Sequence, residues 1–348
     1  MTSTNSRTKH REVERSLRSQ IQAGVWRAGE RIPAEHELAR RFGVAYMTVR
    51  QAVGSLVTDR LLQRVPGKGT FVLPHGPNGD GSRAVPAAAL LVPALWQRLD
   101  PLYLPDVLDG YETGMERLGQ PAAVIDRVEL VDGETCVACL VADREDSAIV
   151  ERLKDLGCRV VALNRYQGRR AVPSIVVDNA GGTVLAVEHL AALGHSRIGF
   201  LTGWPDNVDG IERQRGFTSA MRARGLSPDM EAGAGFREER GYQGASELLA
   251  RPERPTALVA ASDLAAIGAI KAARDRGLAV PDDLSVVGFG DFSVAAYWPC
   301  GLTTIYQPRR ELGEEAARAV VAFSRGEAVR DVTLPTRLIE RGTTGPPR

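Results

Sequence analysis

The feature that most constrains the fold is an alternation of short apolar runs with amphipathic segments, which begins near residue 86 and continues almost to the end of the chain. The runs are typical of buried strands, and the segments between them have the spacing of helices. Such alternation predicts parallel, doubly wound sheets that bind ligands beyond the carboxyl ends of their strands. Predicted strands are 87–92, 122–125, 135–141, 160–163, 198–201, 257–260 and 285–289, and predicted helices include 104–118, 182–193, 213–224 and 265–276.

Residues 1–74 have a different pattern. Three helices are predicted, at 12–23, from after Pro33 to 42, and at 46–59, and the turn between the last two contains Gly43. That turn length and composition are typical of a helix-turn-helix. Two short strands follow, at 61–65 and 70–73, joined by Gly67-Lys68-Gly69. The combination predicts an α+β winged helix, in which the third helix lies in the major groove and the hairpin tip reaches a phosphate or the neighbouring minor groove.

The charge distribution agrees with a DNA-binding first domain. The whole chain has a formal net charge of only +1, but residues 1–74 hold 13 Lys and Arg against 6 Asp and Glu, a net of +7. The remaining residues hold 31 against 37, a net of −6. A basic segment joined to an acidic one is expected when one domain meets a polyanion and the other does not.

Composition indicates a globular protein of two or three domains, with 348 residues that are 43% hydrophobic and 25% charged. No apolar run reaches the roughly 18 residues of a membrane span, and the first twenty residues lack a signal-peptide core. We therefore expect a cytoplasmic, nucleoid-associated protein with no membrane partner. Cys136 and Cys139 have CxxC spacing, but on a predicted strand they point to opposite faces. We expect no metal and no cofactor.

The segment "GERIPAEHELARRFGVAYMTVRQAVGSLVTDRLLQRVPGKGTFV" resembles the DNA-binding domain of the GntR regulators, over nearly all of residues 10–74. The resemblance implies the DNA contacts His36, Tyr46, Met47, Thr48, Arg50, Gly67 and Lys68. His36 and Tyr46 stand where the family usually has arginines, and Ala45 replaces the usual serine, so base preference is expected to differ while the docking mode stays the same. Met47 fits the groove face and the domain core equally well.

Residues 75–85 are rich in Gly, Pro, Asn and Asp and are expected to form a flexible linker. The rest, 86–348, resembles the sensor domain of the LacI regulators in "VDNAGGTVLAVEHLAALGHSRIGFLTG", "RQRGFTSAMRARGL", "RPTALVAASDLAAIGAIKAARDRGLAVPDDLSVVGFGD" and "LTTIYQPRRELGEEAARAV". The resemblance implies an α/β, two-lobed, periplasmic-binding-protein-like fold with a ligand between the lobes. Lobe one is expected at about 86–178 and 305–333, and lobe two at 179–304 and 334–345. The combination resembles regulators of the arabinose-repressor kind.

The same resemblance implies a set of ligand-binding residues: Tyr103, Leu104, Asn164, Arg165, Arg213, Phe236, Ser262, Asp263 and Asp291. Arg213 holds the position of a ligand-gripping arginine and Phe236 that of a stacking aromatic. Asp263 is equally well explained as a helix cap. The family usually has an aspartate where this chain has Gly290, followed by Asp291. A bulkier or anionic ligand therefore stays open beside a sugar, with Arg213 and Arg165 as its charge partners.

These patterns predict a ligand-responsive transcriptional regulator, best explained as a repressor of a carbohydrate uptake or catabolism operon. It is expected to act as a homodimer on near-palindromic operator DNA and to be released or modulated by a sugar-like effector in the cleft. Two alternatives stay open: a regulator of a non-sugar effector such as a nucleoside or an anionic metabolite, and an α/β enzyme with an accessory DNA-binding domain. We expect that the protein is not an enzyme, because its sequence contains no catalytic motif. The effector, the operator sequence, the choice between repression and activation and the direction of the ligand's effect are left open.

Overall fold

The computed structural model describes residues 13–21, 25–26, 29–58, 61–65, 69–72, 86–93, 102–166, 168–169 and 171–348. The chain divides into two compact units, Met1–Ala84 and Val85–Arg348. Each unit has its own apolar core.

The first unit is a winged helix. Leu17 of the first helix, Leu38 of the second and Val49, Val53 and Leu56 of the third are fully buried in one core, and the last three recur at helical spacing. The hairpin pairs Leu62 with Val72 in antiparallel register, and residues 30–32 hydrogen-bond to the other edge of the second strand. The predicted α+β fold is thus confirmed. Its helices are α1 (13–21), α2 (Glu35–Phe42) and α3 (Tyr46–Thr58), and its strands are β1 (Leu62–Val65) and β2 (Gly69–Val72).

Gly43 makes the tight turn between α2 and α3. Its φ of 61° is a left-handed conformation that glycine adopts without a steric penalty. The Gly43 N–H donates to the carbonyl of Arg40, and the next N–H, of Val44, donates to the carbonyl of Ala39. These bonds satisfy the last carbonyls of α2, so the chain turns sharply and α3 begins three residues later.

The second unit contains two six-stranded sheets, one in each of two lobes. Sheet one, in lobe one, has the order β13-β7-β6-β5-β3-β4 and is parallel throughout. Its strands are β3 (Ala88–Leu91), β4 (Val124–Ile125), β5 (Cys136–Leu140), β6 (Arg159–Leu163), β7 (Ser174–Val177) and β13 (Val332–Leu334). Lobe one also contains α4 (Tyr103–Arg117), a short 3-10 helix (Val128–Leu130), α5 (Arg144–Asp155) and α11 (Arg309–Ser324).

Sheet two, in lobe two, has the order β14-β12-β11-β10-β8-β9 and is parallel except at its edge strand β14. Its strands are β8 (Ile198–Thr202), β9 (Glu231–Gly233), β10 (Ala257–Ala260), β11 (Ser285–Gly290), β12 (Thr304–Tyr306) and β14 (Arg337–Ile339). Its helices are α6 (Asn179–Ala192), α7 (Val208–Ala223), α8 (Glu238–Leu249), α9 (Asp263–Asp275) and α10 (Ser293–Tyr297). The predicted two-lobed α/β fold is confirmed.

The chain passes between the lobes three times, after β7, after β12 and after β13. The expected lobe bounds need two changes. Leu334 was expected in lobe two, but β13 pairs with β7 along Val332–Leu334 and therefore lies in lobe one. Residue 305 was expected to begin the return to lobe one, but β12 pairs with β11 along Thr304–Tyr306 and therefore lies in lobe two. The crossing follows at Gln307, because the apolar side chain of Ile305 is buried in the core of lobe two.

Two helices of lobe two begin three or more residues earlier than predicted. The predicted helix 182–193 begins at Asn179, and the predicted helix 213–224 begins at Val208. In each case a side chain caps the true start: Asp178 accepts from the N–H of Gly181, and Asn207 accepts from the N–H of Gly210. Apolar spacing alone locates the middle of a helix, whereas its first turn depends on the capping residue. Among the described residues no helix is both long and apolar enough to cross a membrane.

Candidate DNA-binding face and ligand cavity

The predicted DNA contacts on α2 and α3 lie mostly on one exposed face. His36 and Arg50 are exposed, and Tyr46 and Met47 are 46% and 57% exposed despite their size. Met47 therefore does not belong to the core of the first unit. Large side chains held in water at the start of a recognition helix are placed to contact base edges in a major groove.

Three predicted DNA contacts differ from this pattern. Thr48 is only 8% exposed. Its backbone N–H donates to the carbonyl of Ala45. Gly67 and Lys68 lie outside the described residues, although the strands on either side of them form the predicted hairpin. The DNA contacts as a set stay a prediction.

A small cavity lies in lobe two where it faces Tyr103 of lobe one and the crossing residue Gln307. Only about 20 Å³ is open to the centre of a water-sized sphere, whereas the space between its lining atoms, mouth included, is about 280 Å³. Only the smaller figure can be compared with the volumes of known small-molecule sites, and it lies far below their range of about 300–1,000 Å³. The cavity in this structure therefore has room for little more than a water molecule, and a larger ligand requires its lining to move. Its lining residues are Tyr103, Asn207, Asp209, Arg213, Phe236, Phe292 and Gln307.

Arg213 is the best-held polar side chain of the cavity. It is buried on α7, and its Nε donates to Oδ1 of Asn179 at 2.9 Å. Another guanidinium nitrogen donates to the carbonyl of Ala261, and a third lies 3.8 Å from Oδ2 of Asp209. The guanidinium carbon also stacks 3.9 Å from the ring centroid of Phe289. Two hydrogen bonds and an aromatic ring thus hold the guanidinium group in place, and the Asp209 carboxylate balances its charge.

Asp209 carries the negative charge of the cavity. Burial raises the pKa of this carboxyl group, and the neighbouring Arg213 opposes that rise. Tyr103 faces the same space from α4, and burial together with the Asp209 charge raises its pKa as well. The Tyr103 hydroxyl donates to Oδ1 of Asn164 at 3.3 Å. Asn164, at φ 70°, also donates to the carbonyl of Val141, so it supports Tyr103 from behind and does not line the cavity.

Ser262 and Asp263 were expected in the site, but the structure does not place them there. The Ser262 hydroxyl caps α9 by accepting from the N–H of Ala265. Asp263 is fully buried; one oxygen accepts from the N–H of Phe292 at 2.8 Å and the other from the hydroxyl of Thr304. The Asp263 carboxylate therefore ties β12 to the end of β11. The alternative expectation, that Asp263 caps the helix, was therefore wrong by one residue, because Ser262 is the cap.

Three further predicted ligand residues lie outside the cavity. Asp291 is held in an ion pair with Arg341 at 2.7 Å. Arg165 is exposed and pairs with Glu212 at 3.4 Å. Leu104 packs against the core of lobe one. Of the nine predicted ligand residues, Tyr103, Arg213 and Phe236 line the cavity.

Four lining residues were not predicted: Asn207, Asp209, Phe292 and Gln307. Asn207 and Asp209 escaped notice because the helix that carries them was predicted to begin at 213. An Asn followed by an Asp in the next three residues is a helix-start signal that could have found them. Gln307 is 2% exposed, and its Nε2 has no hydrogen-bond partner among the described residues. No sequence signal marks it.

Phe292 explains why residue 290 is a glycine. The φ of Gly290 is 135°, and a Cβ there would lie 2.5 Å from the ring of Phe292. The ring therefore occupies space that a side chain at 290 would need. The guanidinium carbon of Arg309 lies 4.1 Å from the centroid of the Phe292 ring. Arg309 also forms an ion pair with Asp106 at 2.7 Å. An aromatic wall thus stands where the resemblance led us to look for a carboxylate.

No group of three or more His, Cys, Asp or Glu side chains within the described part of the chain is arranged to hold a metal ion. Cys136 and Cys139 are buried in different core clusters, on opposite faces of sheet one, as their spacing predicts. Burial raises the pKa of both thiols, so both stay in the unreactive protonated form.

Comparison with known families matches both units. Residues 9–72 match the family described as bacterial regulatory proteins, gntR family. Residues 187–344 match the family described as periplasmic binding protein-like domain. The winged helix and the two-lobed unit are therefore each supported by sequence likeness as well as by their folds.

The chain is 28% identical to the arabinose metabolism transcriptional repressor of Geobacillus stearothermophilus, over 97% of both chains. A solved complex of the transcriptional regulator CelR with cellobiose is 25% identical, with a TM-score of 0.66 over 90% of this chain and 100% of that one. The lac repressor dimer bound to operator and the anti-inducer ONPF is 26% identical, with a TM-score of 0.64 over 75% of this chain and 94% of that one. The first unit thus matches the gntR family, and the second unit matches a periplasmic binding protein-like domain and resembles the solved lac repressor in sequence and fold.

Proposed function

We propose that this protein is a transcriptional repressor of a carbohydrate uptake or catabolism operon, controlled by a small neutral sugar bound between the lobes. The observation that carries the proposal is the presence, in one chain, of a winged helix with large exposed side chains at the start of α3 and of a small cavity lined by buried polar groups. Relatives named for arabinose metabolism and for a cellobiose complex favour a sugar.

The charges of the cavity favour a neutral ligand over an anionic one. Asp209 and Arg213 pair with each other, so the lining has no uncompensated cation to attract a phosphate or carboxylate. Arg165, the other candidate partner for an anion, is exposed and bound to Glu212. A sugar phosphate would have to break one of these pairs.

The remaining lining groups suit hydroxyl groups. The Asp209 carboxylate can accept hydrogen bonds from ligand hydroxyl groups. The Gln307 Nε2 is a buried donor without a partner among the described residues, and a hydrogen bond to a ligand oxygen would remove the free-energy cost of burying it. Phe236 and Phe292 offer apolar faces for the C–H groups of a ring.

The proposed assembly is a homodimer on operator DNA, acting in the cytoplasm on the nucleoid. The solved lac repressor that the chain resembles is a dimer bound to its operator. Two winged helices related by two-fold symmetry would read the two halves of a near-palindromic site. Coupling of about 1–3 kcal/mol between ligand and DNA would change operator affinity about 5- to 150-fold.

We propose further that the cavity binds its ligand without transforming it. The gntR family is described as bacterial regulatory proteins, and the arabinose relative is named as a transcriptional repressor. Incubation of each ligand with the protein, followed by proton NMR, should return it unchanged. A new product would favour the enzyme alternative.

The decisive experiment combines a thermal-shift screen with DNA binding. Neutral monosaccharides, glycosides, sugar phosphates and nucleosides are tested for stabilisation, and hits are tested for their effect on binding to DNA upstream of the protein's own gene. A ligand at 100 times its Kd should stabilise the fold by about 2.7 kcal/mol. Stabilisation by sugar phosphates but not by neutral sugars would contradict the charge argument.

Gln307→Met tests whether the hit binds in this cavity. The substitution keeps the side-chain length and removes a donor that has no partner among the described residues, so melting without ligand should change little. The ligand-induced shift should be lost. The control is Gln243→Met on the exposed surface of α8, which should keep the shift.

A further inference from the structure

The carbonyl of Ala142 is a point where the two lobes are hydrogen-bonded to each other. Ala142 follows β5 of lobe one and is buried. Its oxygen accepts two hydrogen bonds from lobe two, from the N–H of Val208 at 3.0 Å and from Nδ2 of Asn207 at 3.1 Å. One carbonyl is thus shared by a backbone donor and a side-chain donor that lie next to each other at the start of α7.

Lobe one holds this carbonyl firmly in place. The N–H of Ala142 donates to Oδ2 of the buried Asp146 at 2.8 Å. The preceding carbonyl, of Val141, accepts from Nδ2 of Asn164 at 3.2 Å. The next residue, Asp143, caps α5 by accepting from the N–H groups of Glu145 and Asp146. The acceptor is therefore a rigid feature of lobe one.

On the other side, Asn207 has two functions. Its Oδ1 accepts from the N–H of Gly210 at 2.8 Å and caps α7, while its Nδ2 reaches across to Ala142. The cap fixes the plane of the amide group and therefore the direction of the donor. Asn207 also lines the cavity, so a bound molecule meets the same side chain that joins the lobes.

We propose that Asn207 is a positioning residue that latches the lobes shut and reports occupancy of the cavity to the lobe contact. An Asn Nδ2 carries two protons, and one of them serves Ala142. A ligand oxygen that accepts the other proton locks the amide in its latching orientation and strengthens closure. This second step rests on the proposed function, whereas the latch itself belongs to the protein without ligand.

Residue-resolved hydrogen exchange on the full chain measures the latch directly. The Val208 amide donates across the lobes, so its exchange rate reports their separation. Two amides serve as internal references: that of Phe200, bonded to Met230 within lobe two, and that of Val141, bonded to Leu163 within lobe one. Urea unfolding of each variant checks that exchange at Val208 does not occur through global unfolding.

Two substitutions keep the cap and remove the latch. Asn207→Ser retains a capping oxygen but loses the cross-lobe donor, and exchange at Val208 should rise about fivefold. Asn207→Asp also retains the cap but sets a carboxylate against the Ala142 carbonyl, and exchange should rise more than tenfold. The reference amides should keep their rates.

Ser262→Ala is the matched control, because it removes a helix cap of lobe two that makes no bond to lobe one. It should leave Val208 protected. Unchanged exchange in Asn207→Asp, or an equal rise in Ser262→Ala, would overturn the latch. If the Asn207 variants exchange faster at Val208 without any effector, the latch is supported whatever the result of the sugar screen. A failed screen would then contradict only the proposed function. Once an effector is known, it should slow exchange at Val208 in the parent protein. If it slows exchange equally in Asn207→Ser, the reporting step is overturned.

Discussion

The recognition face of α3, formed by Tyr46, Met47 and Arg50, and the cavity in the second unit place their side chains in opposite environments. Tyr46, Met47 and Arg50 are exposed on one helix and sit near each other because of helical spacing. Asp209 and Arg213 are buried and meet groups from several elements. Exposed contacts contribute to binding at little cost to folding, whereas buried charges contribute to both.

This difference teaches how each surface can be altered. A change on the recognition face should shift affinity or specificity while the fold persists. A change in the cavity should disturb stability and binding together unless it removes a group that has no partner, as at Gln307. Four substitutions test the contrast, in order of decreasing expected effect.

Arg213→Ala should have the largest effect. It leaves the Asp209 carboxylate buried without its cation, which costs about 3–5 kcal/mol of unfolding free energy. Because Arg213 is buried and paired, we expect the variant to melt at a lower temperature even without ligand. Urea unfolding measures the loss. Adding Asp209→Asn should recover part of it, and a double variant no more stable than Arg213→Ala would contradict the pairing.

Asp146→Asn should stabilise the protein at neutral pH but not in acid. Burial raises the pKa of Asp146 to about 6 from an unfolded value of 3.8. The folded state therefore binds the proton more tightly, so this contribution to stability is fully present below about pH 4 and is lost as pH rises through 6. At pH 7.5 the variant should gain about 2–3 kcal/mol. Equal stability differences at pH 4 and pH 7.5, measured by urea unfolding, would contradict this pKa.

Arg50→Ala should weaken operator discrimination by about 1–3 kcal/mol, or 5- to 150-fold, and change the unfolding free energy by less than about 0.5 kcal/mol. Fluorescence anisotropy with operator and scrambled DNA measures the first quantity. Arg325→Ala, an exposed arginine of the second unit, is the control and should bind DNA like the parent. Undiminished discrimination in Arg50→Ala would show that another face of the first unit reads DNA.

Ala45→Ser should have the smallest effect. Ala45 precedes the first residue of α3 and has no side-chain oxygen for the N–H groups of the first turn. A serine there supplies the cap and should stabilise the first unit by about 1 kcal/mol. Protease resistance of the winged helix in the full chain is the measurement, with Ala45→Gly as the control for backbone effects. Lower resistance than the parent would show that the hydroxyl finds no partner.

The sequence by itself predicted both folds and the exposure of the residues on α3 at which the resemblance places DNA contacts. Apolar spacing, the glycine at 43 and the strand–helix alternation act locally, over a few residues, and helical periodicity alone decides that Tyr46 and Arg50 share an exposed surface. The same local rules located Arg213 on α7 and predicted that Cys136 and Cys139 point apart.

Only the tertiary structure decided which polar groups meet in the cavity. The sequence predicted Asp263 in the site and missed Asp209, yet Asp263 holds Phe292 and Thr304 while Asp209 lines the cavity. Their roles differ because the lining comes from both lobes and from the crossing residue Gln307, which are far apart along the chain. Burial, pairing and the shift of a pKa depend on those distant neighbours, and a residue's own sequence context does not contain them.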